Sequence, residues 1–210
     1  MCNRYSLSKK QERIITREYG SVEFYFMQRF NIAPTQTAQV IVVENGKLVS
    51  REMKWGWKTK FGLMTNARAE TAHETMFKEA LAGRRCLVPA DGFYEWTRGK
   101  PAQPYRFVMP SRAVFFMAGL WHGEEFTILT TDARGITRSF HDRMPVILPD
   151  TEIDSWLSEP VERISGPNGI SARALSEPLE AYPVTTEMSN PRFESPDAIK
   201  PIQVAQGELF

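Results

Sequence analysis

Residues 39–55 read QVIVVENGKLVSREMKW, and this stretch decides which kind of sheet the chain forms. A run of β-branched residues leads into Asn45-Gly46, a pair that readily adopts the positive φ angles of a tight hairpin turn. A second segment with strand character follows the turn. We therefore predict two antiparallel strands, from Gln39 to Glu44 and from Lys47 to Trp55.

A first helix is predicted upstream of this hairpin. Ser8 followed by Gln11 has the form of a capping box, in which two side chains satisfy backbone N–H groups of the first turn. Ile14 and Ile15 supply an apolar stripe, and Gly20 can end the helix.

A second helix is predicted downstream of the hairpin. It should begin near Thr71, with Glu74 completing another capping box, and it should stop at Gly83. The residues expected on its inward face are Phe77, Ala80 and Leu81.

Short β-rich segments dominate the chain beyond the second helix. These segments are Cys86 to Pro89, Gly92 to Thr97, Tyr105 to Met109, Ala113 to Trp121, Phe126 to Thr131 and Pro145 to Leu148. Asp150 to Leu157 has the pattern of a short capped helix, and the tail should add one strand at 182–184 and an ordered wrap. This order of elements predicts an α+β fold, with helices laid against an antiparallel, partly closed sheet, in a single domain over residues 1–210.

The composition limits the classes of function. The chain has 210 residues, enough for one substantial core, and it lacks a membrane-spanning run or a secretory signal, so a cytoplasmic protein is expected, nucleoid-associated if bacterial. Two distant cysteines and three histidines argue against a disulfide framework and against a zinc site. We expect no metal and no cofactor. The formal net charge of +1 means that any nucleic-acid contact must rest on a local groove.

Cys2 is the most informative residue for function. Removal of Met1 would place an α-amine and a thiol on one residue, and an α-amine with a pKa of roughly 7.7 to 8.0 is partly neutral near pH 7. Such an amine can attack an aldehyde to give a Schiff base, and the neighbouring thiol can then close a five-membered thiazolidine. From position alone, an incidental cysteine in a disordered start is the commoner case, so other residues must support the chemical interpretation.

Several motifs occur together in a fixed order along the chain. They are MCNRY (1–5), NIAPT (31–35), WG (55–56), NARAET (66–71), RCLVPADGFYEW (85–96), AGLW (118–121) and HDRMPV (141–146). In this combination the sequence resembles the SOS-response-associated peptidase (SRAP) family of abasic-site processing proteins, over nearly the whole chain. The resemblance implies a compact single domain with a mixed, mostly antiparallel, barrel-like sheet and flanking helices.

The resemblance also implies roles for four residues. Cys2 would form a thiazolidine with the ring-opened aldehyde of an abasic deoxyribose, and Asn66 would hydrogen-bond the opened sugar or the linkage. Glu95 would move protons during Schiff-base formation and ring closure, and His141 would assist sugar opening and reversal of the adduct. These roles suit an uncharged donor and acceptor, a tunable carboxyl and a group that titrates near neutrality.

Structural interpretations of the same residues stay open at this point. Asn66 could be a turn residue, and His141 could be a satisfied surface histidine. A lone carboxylate at Glu95, among aromatic neighbours, would have to be exposed, paired or functional. Cys86 lies in an apolar run and is best interpreted as a core residue.

Further residues are candidates for contact with single-stranded DNA. Arg4, Arg68 and Arg143 each lie within two residues of a proposed catalytic group and could hold phosphates, although solvated surface arginines are the ordinary alternative. Pro34 and an exposed apolar residue would resemble the family's wedge between stacked bases, with Met76, Trp57 and Phe61 as candidates, and Trp96 could add a stacking surface. Met and Trp at such positions are more often core.

The expected partner is single-stranded DNA that contains abasic sites, preferentially near junctions with duplex, and a monomer is the favoured assembly. Two alternatives remain, namely a thiol peptidase acting on other proteins and a DNA-binding module without catalysis. Many members of the family have glycine where this chain has Asn3, and the segment after Trp55-Gly56 is shorter here than is usual in the family.

Overall fold

The computed structural model of the chain describes residues 3–9, 13–16, 19–23, 28–166, 168–174 and 178–203. The predicted hairpin is present as β5 (Thr37–Glu44) and β6 (Lys47–Trp55), with Val42 opposite Val49. The turn residues Asn45 and Gly46 have φ angles of +50° and +72°, as the turn chemistry requires. The prediction from residues 39–55 is therefore confirmed.

The remaining strands follow in chain order. They are β1 (Tyr5–Leu7), β2 (Arg13–Thr16), β3 (Gly20–Glu23), β4 (Arg29–Ile32), β7 (Trp57–Thr59), β8 (Gly62–Met64), β9 (Asn66–Arg68), β10 (Arg85–Ala90), β11 (Gly92–Trp96), β12 (Pro104–Val108), β13 (Phe115–His122), β14 (Glu125–Asp132), β15 (Arg143–Pro145), β16 (Ile147–Leu148) and β17 (Glu180–Pro183). The β-rich segments predicted between residues 86 and 148, and the strand in the tail, correspond to strands of this set.

The hairpin belongs to a ring of strands. The order β14–β6–β5–β10–β13 returns to its start because β13 also pairs with β14. Most of these pairings are antiparallel, whereas β14 runs parallel to β6 and to β9. Closure satisfies the backbone groups that open edges would leave unpaired. The predicted barrel-like, mostly antiparallel sheet is confirmed.

A second sheet of five antiparallel strands, in the order β17–β12–β11–β1–β4, packs against the ring. One core cluster contains residues from both sheets, among them Tyr5 and Phe93 from this sheet and Val40 and Trp55 from the ring. The two sheets therefore share one core, and the molecule is a single compact α+β domain.

The helices cover the other face of the ring. They are α1 (Lys78–Gly83), α2 (Ile153–Ser158), α3 (Val161–Ile164) and α4 (Ile170–Arg173). Alternate residues of β5 face opposite ways, so that Val40 and Val42 join the core between the sheets while Ile41 packs in a second cluster with Leu81 of α1 and Trp156 of α2. Among the residues that the structure describes, no helix has both the length and the apolar character that a bilayer crossing needs.

The first predicted helix is wrong. Arg13–Thr16 is a strand that pairs with Gly20–Glu23, and Gln11 lies outside the described residues. The run of two isoleucines and a threonine favours extended backbone, and this preference outweighs the apolar spacing. The hydroxyl of Ser8, which was expected to cap a helix, instead donates to the Asp91 carboxylate.

The second predicted helix is shorter than expected. Ala72–Glu74 forms a single 3-10 turn, Thr71 makes no capping hydrogen bond through its side chain, and α1 begins only at Lys78. The predicted inward-facing residues of this segment, Phe77, Ala80 and Leu81, are buried as expected.

Candidate active site

The N-terminal strand leads directly to a buried glutamate. β1 lies antiparallel to β11 with Tyr5 opposite Phe93, and the backbone N–H of Tyr94 donates to Arg4 O at 3.0 Å. When this pairing is continued two residues toward the N-terminus, Asn3 falls opposite Glu95. Cys2, the proposed nucleophile, lies outside the described residues.

Asn3 also contacts a second predicted site residue. Its Oδ1 atom accepts hydrogen bonds from Asn66 Nδ2 at 3.2 Å and from Thr65 Oγ1 at 3.0 Å. Asn66 begins β9 and lies opposite Ile128 of β14, so it belongs to a strand and not to a turn. Asn3 is thus joined to Asn66 by a side-chain hydrogen bond and lies opposite Glu95 in the strand pairing.

Glu95 is a buried carboxyl whose acidity is strongly altered. It lies on β11 opposite Tyr105, and only 6% of the residue is exposed. Burial raises the pKa of Glu95 from 4.5 to about 7, because the charged form loses solvation. At neutral pH both protonation states are therefore populated, which suits a group that gives and takes protons.

His141 follows a 3-10 turn at Gly135–Ser139 and is half-buried. Its Nδ1 atom accepts a hydrogen bond from the backbone N–H of Arg143 at 2.9 Å, so the neutral ring carries its proton on Nε2. Burial lowers the pKa of His141, which favours this neutral form at physiological pH. The side chain can therefore offer a hydrogen-bond donor to a bound group.

Aromatic packing connects the His141 loop with β12, the strand that pairs with β11 at Glu95. Tyr105 lies opposite Glu95, and its ring packs on the ring of Phe140 with centroids 4.8 Å apart. Arg98, which follows β11, donates to two residues of the His141 loop, to Phe140 O at 3.3 Å and to Asp142 at 2.7 Å. Both neighbours of His141 in the chain are therefore held.

Arg143, a predicted phosphate contact, is already engaged with carboxylates. Its guanidinium donates to Glu70 at 2.7 and 3.2 Å, to Asp132 at 2.6 Å and to Thr130 O at 2.6 Å. Burial opposes ionisation of Glu70, but the hydrogen bond and the charge of Arg143, together with hydrogen bonds from the backbone and from Thr131, outweigh it and lower the pKa of Glu70. A phosphate would have to share this arginine with its present partners.

Glu70 was not predicted as a site residue. The signal for it was its place in the NARAET motif, which also contains Asn66 and Arg68. β9 and β15 both pair with β14, where Arg68 and Pro145 both lie opposite Thr130, and this shared strand brings Glu70 within reach of Arg143.

Two of the predicted DNA contacts meet at the C-terminal segment. Arg4 is half-buried and donates to Ser189 O at 3.4 Å, while Trp96 Nε1 donates to Ser189 Oγ at 3.0 Å. Burial lowers the pKa of Arg4 from its usual value. Arg68 is exposed on β9, and Pro34 is half-buried before Thr35, a residue with a positive φ of 73°.

The apolar wedge candidates separate into exposed and buried residues. Met76 is 44% exposed and Phe61, at the tip of the β7–β8 hairpin, is 75% exposed. Trp57 is buried and stacks on His122, with ring centroids 5.2 Å apart. Trp57 is therefore a core residue, whereas Met76 and Phe61 keep the exposure that a wedge requires.

Cys86 is fully buried on β10, and burial raises the pKa of its thiol. The core interpretation of this cysteine is confirmed. A thiol held protonated and out of solvent is a poor nucleophile, so the described part of the site contains no competing reactive sulfur.

These features define an α+β domain in which the N-terminal strand pairs with the strand that carries a buried glutamate of raised pKa, and in which Asn3 hydrogen-bonds Asn66. A family model described as SOS response associated peptidase (SRAP) matches residues 1–191, and the chain belongs to this family. The resemblance drawn from the motifs is confirmed.

Individual relatives support the assignment. The chain is 32% identical to abasic site processing protein YoqW of Bacillus subtilis, in an alignment that covers 95% of this chain and 99% of the relative. It is 31% identical to abasic site processing protein YoaM of the same organism, with coverage of 95% and 97%. Among solved structures, it is similar to a phage-related protein of Bordetella bronchiseptica, with a TM-score of 0.73 and 28% identity over 87% of this chain and 94% of that one.

Proposed function

We propose that this chain processes abasic sites in single-stranded DNA by covalent capture through Cys2. The observation that carries the proposal is the placement of Asn3. Its side chain accepts a hydrogen bond from Asn66, and the strand pairing places it opposite Glu95. Cys2 is the residue bonded to Asn3 in the chain. The names of relatives such as YoqW support an abasic site as the target, and the family description supports a role in the SOS response to DNA damage.

The reaction requires a free amine on Cys2. One water molecule hydrolyses the Met1–Cys2 peptide bond and releases methionine, which leaves an α-amine and a thiol on the same residue. The peptidase in the family description supports this step as self-processing. The nucleophile then stands at the new terminus, as in other enzymes with N-terminal nucleophiles.

Capture of the sugar proceeds in two balanced steps. The amine adds to the aldehyde carbon of the ring-opened deoxyribose, and loss of one water gives an imine. The thiol then adds across the C=N bond, so that a C–S bond forms and the thiol proton passes to nitrogen. Glu95, with a pKa of about 7, donates a proton to the departing hydroxyl and can take one from the thiol.

Two polar side chains assist at the sugar. Asn66 offers a donor and an acceptor to the opened sugar or to the linkage without adding charge. The Nε2–H of His141 donates to the ring oxygen as the sugar opens, and the same group assists reversal of the adduct.

The DNA strand binds through local contacts, since the net charge of the chain is only +1. Arg4, Arg68 and Arg143 hold phosphates near the lesion, and Trp96 offers a surface for a base. The wedge that parts bases near a junction with duplex is formed by Pro34 and Met76. The protein acts as a monomer, and the whole chain of residues 1–210 forms the functional domain.

Intact-mass measurement tests the proposal directly. The purified protein should lack the mass of Met1, and exposure to abasic single-stranded DNA should add the mass of one strand less one water. Cys2→Ala keeps the α-amine but lacks the thiol, so it can form only the hydrolysable imine and should give no adduct that survives denaturation. Cys86→Ala serves as the matched control and should react as the wild type does. An unprocessed N-terminus, or an adduct that persists in Cys2→Ala, would rule the mechanism out.

A variant of the histidine separates chemistry from binding. His141→Ala should slow formation or reversal of the adduct while affinity for an undamaged strand stays nearly unchanged. His73→Ala, which removes another half-buried histidine, is the control. If His141→Ala weakens binding or folding instead, His141 is a structural residue.

A further inference from the structure

A second buried carboxylate, that of Asp91, lies next to β11 and accepts several hydrogen bonds. Asp91 directly precedes β11 and is 2% exposed. It accepts hydrogen bonds from Ser6 Oγ at 2.7 Å, from the backbone N–H groups of Ser8 and Lys9 at 2.8 and 3.0 Å, and from the hydroxyl of Ser8. All of these donors belong to β1 or to the two residues that follow it.

Arg106 completes this cluster from β12. Its guanidinium donates to Asp91 Oδ1 at 2.8 Å, to Ser6 Oγ at 3.0 Å and to the hydroxyl of Tyr182 at 2.7 Å. The two charged side chains are only 7% and 1% exposed. Gly92 makes room for the guanidinium, because a Cβ atom at that position would lie 2.7 Å from Arg106 Nε.

The cluster fixes β1 along its own axis. A β-strand advances about 3.3 Å per residue, and a slip of one residue turns every side chain to the opposite face. Ser6, Ser8 and Lys9 each meet the same carboxylate, so a slipped strand would lose these bonds together and leave the Asp91–Arg106 pair without them. Register is therefore set at the end of β1 that is distant from Cys2.

We propose that Asp91 and Arg106 are positioning residues for the N-terminal nucleophile. They hold the register in which Tyr5 faces Phe93, and the same pairing, continued past Arg4, places Asn3 opposite Glu95, one residue after Cys2 in the chain. The inference rests on the proposed function, because it assigns the pair a task in covalent capture. Buried ion pairs often add little net stability compared with apolar groups of similar volume, so stability alone does not account for this one.

The test compares the maximal rate of crosslinking with the affinity for DNA. Asp91→Asn keeps the shape of the side chain but removes the charge that holds Arg106 and the donors of β1. We expect the rate at saturating abasic DNA to fall by about tenfold or more, because small misplacements of reacting groups cost rate steeply. The dissociation constant for an undamaged strand should change much less than the rate, since of the proposed phosphate contacts only Arg4 adjoins β1, whereas Arg68 and Arg143 lie on β9 and β15.

A milder variant keeps the inference testable if Asp91→Asn does not fold. Ser8→Ala removes one hydroxyl that donates to Asp91 and leaves the ion pair intact. It should lower the same maximal rate several-fold, again with little change in the affinity for undamaged DNA.

Arg85→Met is the matched control for loss of stability. Arg85 is also a buried arginine, but its guanidinium donates to the backbone oxygens of Leu157 and Glu159, on the helical face of the ring. It should lower the midpoint of urea unfolding and leave the maximal crosslinking rate of the folded protein unchanged.

The possible outcomes separate this inference from the proposed function. If wild-type protein forms no adduct, the proposed function fails. If the wild type reacts and folded Asp91→Asn and Ser8→Ala react at the wild-type rate, the positioning role fails while the function stands. A rate loss in Arg85→Met equal to that in Asp91→Asn would also overturn the positioning role, because general destabilisation would then explain both.

Discussion

Asp91 and Glu95 lie four residues apart on the same stretch of chain, and both are buried, but the surroundings of the two carboxylates differ. Asp91 receives Arg106 and a set of hydroxyl and backbone donors from the N-terminal strand. Glu95 lies in surroundings where burial raises its pKa to about 7. One carboxylate is held by a fixed network, and the other is able to change its protonation state.

The two environments suit two different tasks. A buried charge with a full set of partners is rigid and costly to disturb, which suits a residue that sets register. A buried carboxyl whose neutral form is favoured exchanges protons near neutral pH, which suits a residue that takes part in a reaction. Because Asp91 directly precedes β11 and Glu95 lies on it, the residue proposed to set register and the residue proposed to move protons belong to one short stretch of chain.

The largest expected effect concerns the chemical role of Glu95. Glu95→Gln should lower the rate of crosslinking by about 10² to 10⁴, the usual contribution of a positioned acid or base. In the wild type, the rate of crosslinking should rise with pH as the terminal amine loses its proton. It should fall above about pH 7, because Glu95 then loses the proton that it donates. The falling limb should be missing in Glu95→Gln. A wild-type profile without that limb would contradict the proton-transfer role.

The next effect concerns stability at the other carboxylate. Asp91→Ala leaves the guanidinium of Arg106 buried without its ionic partner and should destabilise the fold by about 3 to 5 kcal/mol. Urea unfolding measures this loss. Replacing both residues, in Asp91→Ala with Arg106→Met, should recover part of it, and an equal or larger loss in the double variant would show that the pair does not act as a unit.

Glu95→Gln should change stability in the opposite direction. The carboxyl has a pKa near 4.5 when unfolded and about 7 when folded, so the folded protein binds more protons between these values and becomes less stable as pH rises through them. Glutamine removes this penalty and should stabilise the fold by about 3 kcal/mol at pH 8, with little effect near pH 4. Unfolding curves at both pH values check the sign, and a stabilisation confined to low pH would refute the raised pKa.

Asn31 extends the comparison to a buried polar group without charge. Its Nδ2 atom donates to the backbone oxygens of Asn190 at 2.9 Å and Phe193 at 3.0 Å, and to that of Met188 at 3.4 Å. Asn31→Ala should cost about 1 to 3 kcal/mol, because buried carbonyls lose their donor. Faster amide exchange in the segment around Ser189 should accompany the loss, whereas unchanged exchange would show that Asn31 does not hold this segment.

The smallest effect is expected at an exposed ion pair. Arg98 and Asp142 are joined at 2.7 Å, yet their side chains are 62% and 84% exposed. Arg98→Ala should leave the midpoint of urea unfolding unchanged within error, because solvent screens such a pair. A clear shift of the midpoint would show that this exposed pair stabilises the fold as the buried Asp91–Arg106 pair does, and it would contradict the difference between exposed and buried pairs.

The strands were predictable from local patterns, and the errors have local causes. The hairpin at Asn45-Gly46 was predicted because its turn chemistry allows few alternatives. The helix expected between Ser8 and Gly20 was wrong because β-branched residues at 14–16 favour extended backbone, which pairs with a second strand. Thr71 and Glu74 fit a capping box by residue type, but the chain makes only a 3-10 turn there.

The site was predictable only as far as the motifs extended. They pointed to Asn66, Glu95 and His141, and the structure relates the first two to Asn3 by a hydrogen bond and a strand register. The pairings of Glu70 with Arg143 and of Asp91 with Arg106 were not predicted, although Glu70, Arg143 and Asp91 all lie in the motifs. Such contacts depend on which strands become neighbours, and a single sequence does not specify that order.

Gly92 has a consequence for how the chain can change over evolutionary time. Any side chain at this position would collide with the guanidinium of Arg106, since even a Cβ atom would lie 2.7 Å from its Nε. A larger residue at 92 is therefore acceptable only in a chain that carries a shorter residue at 106. Homologous sequences with a larger residue at 92 should therefore also carry a shorter residue at 106.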